Sequence, residues 1–344
     1  MKKIPFLTAI CFALFSLSVS AQAPIALHHA GTTTLFSGST ALTQAYTAAA
    51  NGDTLYLPGG GFTALDIQKS LTIFGAGFHP DSAQITGKTI INGNIYFRAP
   101  VPNFYIEGVE INGVLSNYAP ANKVDGLIVK NCKINGAVDF YASATDFSNN
   151  ILLTNCVLGS LNFSSYTSNV LVTNCIIQGT INSSTNNLFA NNLMLVSNRA
   201  FNSGNYGNTI RNNIFIGTNP VSYSSSETVQ NNLFLASGTP NYGTTPINTD
   251  GNYFDAVLGF PVNTIFVNQT GNAFNFEHNY HLLPAVLTQY LGTDGTQVGI
   301  YGGYHPVKEG WIPSSPHIQK ADVPAQTNSD GKLQTGFKTQ AQSN

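Results

Sequence analysis

The chain has 344 residues, of which only 9% are charged, and a net charge of −2. Nucleic acids and anionic membranes recruit clustered Lys and Arg to displace counterions, and no such cluster occurs here, which argues against both as partners. Beyond the N-terminal segment, no stretch is long and apolar enough to span a bilayer.

Residues 1–23 place Lys2 and Lys3 before an apolar run from Ile4 to about Val19 and a small-residue exit, Ala21-Gln22-Ala23, the pattern of a cleaved secretory signal peptide. Cys11 follows Ile10 rather than a small residue, so it does not fit a lipoprotein anchor. The mature chain is expected to be exported to the periplasm or medium and to be a monomer. Residues 40–50 put Leu42, Ala45, Tyr46 and Ala49 on one helical face and end at Asn51-Gly52, which predicts a short helix capping the N-terminal end of the fold. The segments 52–61 and 70–77 then read as strand, turn and strand.

From here the chain repeats. Asn131-Cys132, Asn155-Cys156, Asn174-Cys175, Asn191-Asn192, Asn212-Asn213, Asn231-Asn232 and Gly251-Asn252 are versions of one corner, and Thr89 and Val109 occupy the place of the second residue in earlier repeats. Successive second residues are 17 to 24 positions apart. Two positions further on stand Ile91, Ile111, Ile134, Leu158, Ile177, Met194, Phe215, Phe234 and Phe254; three positions before stand Ile106, Val129, Leu153, Val172, Phe189, Ile210 and Val229. Unbroken apolar columns with strand-like alternation predict an all-β fold, a single right-handed parallel β-helix of about ten coils. Its second corner residues should stack into a ladder of Cys and then Asn. An odd number of cysteines in the mature chain favours buried free thiols there, although stacked Cys156 and Cys175 could be bridged.

A small helix, then Gly52-Asp53-Thr54-Leu55-Tyr56-Leu57-Pro58-Gly59-Gly60, then Lys69-Ser70-Leu71-Thr72-Ile73-Phe74-Gly75-Ala76-Gly77, then coils with these corners resembles the bacterial secreted β-helix proteins of the pectin-lyase-like superfamily. The similarity extends through the closing segments 265–268, 280–282, 292–296 and 299–303, covering roughly residues 35–305. With the N-terminal pattern and the polar C-terminal composition, the chain divides into a signal peptide over 1–23, a β-helix domain over 24–305 with its N-terminal cap and closing segment, and a polar tail or cap over 306–344, with one candidate strand around Leu333 to Phe337. Superfamily members include lyases, hydrolases, epimerases, tailspikes and adhesins, so the resemblance selects no activity.

Lyases of that superfamily combine a Lys or Arg base with calcium-binding acids, and its hydrolases pair aspartates, so either chemistry needs charges converging on one face. Between Asp146 and Arg199 there is no charged residue at all. The candidates for catalysis are therefore confined to Arg98, Glu107, Glu110, Lys130, Lys133 and Asp139. Glu107 with Lys130 and Glu110 with Lys133 fall in shared columns of adjacent coils, and their plain reading is two exposed ion pairs contributing up to about 1 kcal/mol each. An outward column about seven positions after the corner contains Tyr96, Ser116, Asp139, Asn162, Asn182, Asn202 and Ser222, flanked by Phe140, Phe163 and Tyr223. It reads as a strip on which a sugar could stack and hydrogen-bond, or as an ordinary solvated strand face. His278 and His281 read as structural rather than metal-binding; Asp294-Gly295 reads as a turn, with Ca2+ as the one cofactor such a turn could take, and no metal centre is expected. Together these features predict a noncatalytic module that contacts an extracellular polysaccharide or surface partner, with a polysaccharide lyase, hydrolase or epimerase as the alternative.

Overall fold

A computed structural model describes residues 24–221, 223–236, 251–254, 265–322, 326–332 and 335–340; residues 1–23, which the sequence reading assigns to a signal peptide, Ser222 and Leu333 lie outside these. The chain winds into a right-handed parallel β-helix built on three sheets. In each coil a strand of the first sheet, such as Ile128–Lys130, turns through the Asn corner into the second sheet, such as Lys133–Ile134. The chain then crosses to the third, such as Val138–Asp139, before a longer loop leads to the next coil. Nine strands of the first sheet stack in parallel register, from Thr54–Tyr56 to Thr228–Gln230, in agreement with the repeat count.

Both predicted apolar columns point inward. Ile106, Val129, Leu153, Val172, Phe189 and Ile210, and Ile111, Ile134, Leu158, Ile177, Met194, Phe215 and Phe234, are fully buried. The late aromatic members stack flat, with ring centroids 5.0 Å apart for Phe215 and Phe234 and 5.3 Å for Phe234 and Phe254.

The corner works because its two residues divide the labour. The first adopts a left-handed backbone, with φ between 46° and 58° at Asn131, Asn155, Asn174, Asn191, Asn212 and Asn231, a conformation that Asn tolerates better than any other residue with a side chain beyond Cβ; Gly108 and Gly251 serve in the outer repeats. The second turns inward and stacks. Asn213 Oδ1 accepts from the backbone N–H of Asn192 (2.8 Å) and from its Nδ2 (3.0 Å), and Asn213 Nδ2 donates to the carbonyl of Phe189 (2.9 Å). Asn232 and Asn252 repeat the pattern. Cys132, Cys156 and Cys175 fill the same slot as buried free thiols; burial pushes the thiols of Cys132 and Cys156 well above their usual titration range.

A second interior ladder stands five positions before the first. Phe104, Leu127, Ile151 and Val170 give way there to Asn187, Asn208 and Glu227. Asn187 Oδ1 accepts from Val170 N–H (2.9 Å), Asn208 Oδ1 from Asn187 N–H (3.0 Å), and Glu227 from the N–H and Nδ2 of Asn208. Glu227 is buried and its carboxyl is raised to about 7 by desolvation, which outweighs the hydrogen bonds it receives from Asn208.

The N-terminal end is closed by an antiparallel hairpin, Ile25–His29 with Thr32–Phe36, and by helix α1, Ala41–Ala48, which buries Ala41, Leu42 and Ala45. Lys69 Nζ donates to the carbonyls of Tyr46, Thr47 and Ala49, satisfying groups that the end of α1 leaves open. The hairpin also pairs antiparallel with Thr54–Tyr56, so the solenoid begins on a covered edge. Near the other terminus, His317–Asp322 pairs antiparallel with Gly336–Gln340, three residues later than the predicted strand. No helix among the described residues is long and apolar enough to cross a membrane.

Candidate functional site

The outward column of the third sheet is continuous. Tyr96, Ser116, Asp139, Asn162 and Asn182 lie in direct parallel register. Asn162 Nδ2 donates to Asp139 Oδ1 (2.6 Å), Asn182 Nδ2 to Asn162 Oδ1 (2.8 Å), and Asn202 Nδ2 to Asn182 Oδ1 (3.2 Å). Each amide is held by its neighbour in a fixed orientation, which leaves a preorganised row of polar groups at coil spacing, about 4.8 Å.

Phe140 and Phe163 do not join this face. The chain alternates at each strand, so the residue after an outward one points inward, and both rings are buried and stacked on each other in the core, 6.3 Å apart. Exposed aromatics stand beyond the sheet instead: Tyr118, Tyr141, Phe147, Tyr166 and Tyr223 in loops and Tyr206 in the short strand Asn205–Tyr206 are 42% to 58% exposed. Tyr118 packs on Tyr96 of the column with ring centroids 5.4 Å apart, Tyr141 follows the strand Val138–Asp139 by two residues, and Phe147 meets Tyr166 edge-on at 5.6 Å just before two strands of the first sheet. The two ends of the face are fixed by cation–π contacts. Arg98 lies 3.8 Å from the Tyr118 ring and 4.7 Å from the Tyr96 ring, with its Nε on Asp66 at 3.2 Å; Arg199 lies 4.2 Å from Tyr223.

The six charged candidates are spread over three sheets. Arg98 and Asp139 belong to the third-sheet side, Glu110 and Lys133 to the second, and Glu107 and Lys130 to the first. The expected registers hold, Glu110 opposite Lys133 and Glu107 opposite Lys130, but neither is a simple exposed pair. Glu110 is buried and accepts from Lys88 (2.6 Å), Lys133 (2.7 Å) and Asn135 (3.1 Å). Burial pushes its carboxyl up, and these donors outweigh burial and hold it below the ordinary carboxylate range. Glu107 is fully buried, 3.9 Å from Lys130, and its main partners are Tyr105 (2.5 Å), Asn131 (2.8 Å) and the backbone N–H (2.8 Å) and hydroxyl of Ser314.

Ser314 belongs to a return segment that contains the closing stretches 292–296 and 299–303. Residues 291–314 run back over the Asn corner, from the late coils toward the early ones. Four of the left-handed asparagines hold them: Asn231 donates to Leu291 O, Asn212 exchanges bonds with Thr293, Asn174 donates to Ile300 O and Gly302 O, and Asn131 donates to Ile312 O. Residues 265–311 also cover the outer face of the second sheet, where Val157, Ile176, Leu193, Ile214 and Leu233 form a second apolar core with Tyr280, Tyr290, Ile300 and Trp311. One signal does mark the covered face: the residue after each corner changes from Glu110 and Lys133 to five apolar residues in succession.

Between the return segment and the first sheet run two adjoining clefts of about 520 and 440 Å³ that share Leu171, Thr173, Tyr304 and His305. Their floor follows one outward column of the first sheet, Lys130, Thr154, Thr173, Ala190 and Arg211, in parallel register. Elsewhere, His281 pairs with Glu309 at 2.6 Å and stacks on Tyr301 at 3.7 Å, and Asp294 Oδ1 accepts from the N–H and hydroxyl of Thr296. Among the described residues, no three His, Cys, Asp or Glu side chains gather as a metal centre. Comparison of the chain with protein-family models, with curated proteins and with solved structures found no match.

Proposed function

We propose that this is an exported, noncatalytic glycan-binding protein of the pectin-lyase-like type, and that it holds an extended neutral polysaccharide along the third sheet. The observation that carries this reading is the hydrogen-bonded row Asp139–Asn162–Asn182–Asn202, in coils whose following segments carry exposed tyrosines. Rings stack on the C–H faces of pyranoses, and fixed amides meet hydroxyls without the ordering cost that mobile side chains would bring. The face has one charged group in its ladder, Asp139, which suits an uncharged chain. Catalysis would demand convergent acids and bases, and the charged candidates are dispersed and occupied by structural partners.

The test is a panel of soluble polysaccharides offered to the mature protein, with binding and chain cleavage recorded together. The double variant Tyr141→Ala/Tyr166→Ala should lose about tenfold or more in affinity for the bound neutral glycan, about 1.4 kcal/mol, with its melting temperature preserved. Turnover of any glycan, or binding indifferent to both tyrosines, defeats the proposal.

A further inference from the structure

The cleft beneath the return segment lies on a different sheet from the tyrosine face, and its chemistry is different. Five coils contribute to its floor, so four steps of about 4.8 Å make it about 19 Å long. Leu152, Leu171 and Leu188 give it an apolar bed, Thr154 and Thr173 supply hydroxyls, and Tyr304, 90% exposed, stands over its middle. Lys130 and Lys308 line one end and Arg211 the other. Among the described residues Asp294 is the one acid lining either cleft, and its carboxylate already accepts from Thr296. The Nε of Arg211 is buried without a hydrogen-bond partner among the described residues, a donor whose desolvation no group there offsets.

We infer that this cleft is a second binding site, independent of the tyrosine face, for a linear acidic glycan whose carboxylate or sulfate groups meet Arg211 at one end and the lysines at the other. Cations at both ends call for a ligand with repeated anionic groups rather than a single acid head. An acidic peptide fits less well, because the floor is the face of a sheet whose backbone groups are already paired between coils, and a peptide backbone laid there would lose its own hydrogen bonds to water. Sugar hydroxyls find Thr154, Thr173 and the amide of Asn155, which also lines the cleft.

Titration calorimetry with polygalacturonate, dextran sulfate and unmodified dextran tests this. The wild type should bind at least one acidic polymer at low salt, more weakly as salt rises, and that binding should survive saturation with the neutral glycan of the tyrosine face. Tighter binding of polygalacturonate assigns the anion as carboxylate, and of dextran sulfate as sulfate. Arg211→Gln and, separately, the surface change Tyr304→Ala should each weaken the acidic polymer about tenfold or more, whereas Tyr141→Ala/Tyr166→Ala should bind that polymer at the wild-type level. No preference for acidic polymers, no effect of either cleft variant, or loss of acidic binding in the tyrosine variant instead would overturn the inference.

Discussion

Truncating Asn213 to Ala interrogates the interior ladder at its most connected rung. The side chain makes four bonds of 2.8 to 3.0 Å, two through Oδ1 and two through Nδ2. Asn192 Nδ2 keeps its bond to Val172 O (2.9 Å), and Asn232 Oδ1 keeps the backbone N–H of residue 213 (2.9 Å). The backbone N–H of Asn192 keeps nothing, and an orphaned buried donor costs about 1–3 kcal/mol. With the other lost bonds and the small void, the expected destabilisation is about 3–4 kcal/mol. Cys156→Ala, in the same column, removes a sulfur that accepts a long 3.4 Å contact from Cys132 N–H and donates to Thr154 O at 3.1 Å; because sulfur is a weak acceptor and donor, the Cys132 N–H loses far less than the Asn192 N–H does, and the change should cost about 1 kcal/mol. Equilibrium denaturation of both variants, with hydrogen exchange followed at the Asn192 amide, measures the difference directly. Equal costs within about 1 kcal/mol, or unchanged protection at Asn192, would refute the ladder as the stabilising element.

Two further outcomes are expected. Because the carboxyl of Glu227 titrates near 7 in the fold and near 4.5 when free, the fold binds the extra proton between those values; its contribution to stability is fully present below about pH 4.5 and is lost as pH rises to about 7, by at most about 3 kcal/mol after allowing for its partial solvation. Glu227→Gln should flatten that slope in urea titrations from pH 4 to 8, and a slope that persists rules Glu227 out as its source. Lys88→Gln and Lys133→Gln should each cost about 1 kcal/mol, since Glu110 retains the other lysine, whereas the double variant should cost about 3 kcal/mol or more by leaving a buried carboxylate without a cation; strict additivity in a double-mutant cycle contradicts this sharing.

The solenoid is legible in the sequence because its determinants are local and repeated: an inward column such as Ile111, Ile134, Leu158 and Ile177 is visible as a spacing, and the corner Asn–Asn pairs mark where each coil turns. The ladder at Asn187, Asn208 and Glu227 is not, because only its last rungs are polar and no repeated residue type announces it. Phe140 and Phe163 look outward only when the column is taken as a neighbourhood rather than as strict alternation; the tyrosines that do face outward sit in loops of unequal length, where spacing carries no register. The acid Glu107 shows the deeper limit. Its pairing with Lys130 follows from adjacent coils, but its burial depends on Ser314, 207 residues away, and nothing periodic links the two.

That distant contact bears on how the protein unfolds. A bare solenoid couples each coil only to its neighbours, so it can fray from either end one repeat at a time. Here the return segment ties Asn231, Asn212, Asn174, Asn131 and Glu107 to one continuous stretch of backbone, across sequence separations rising from 60 to 207 residues. Peeling back a late coil therefore also loosens the cover over the early ones, which converts a one-dimensional stack into a body expected to melt in a single cooperative transition. The same wiring makes the final stage of folding slow, since these contacts span long stretches of sequence and can form only on coils already in register.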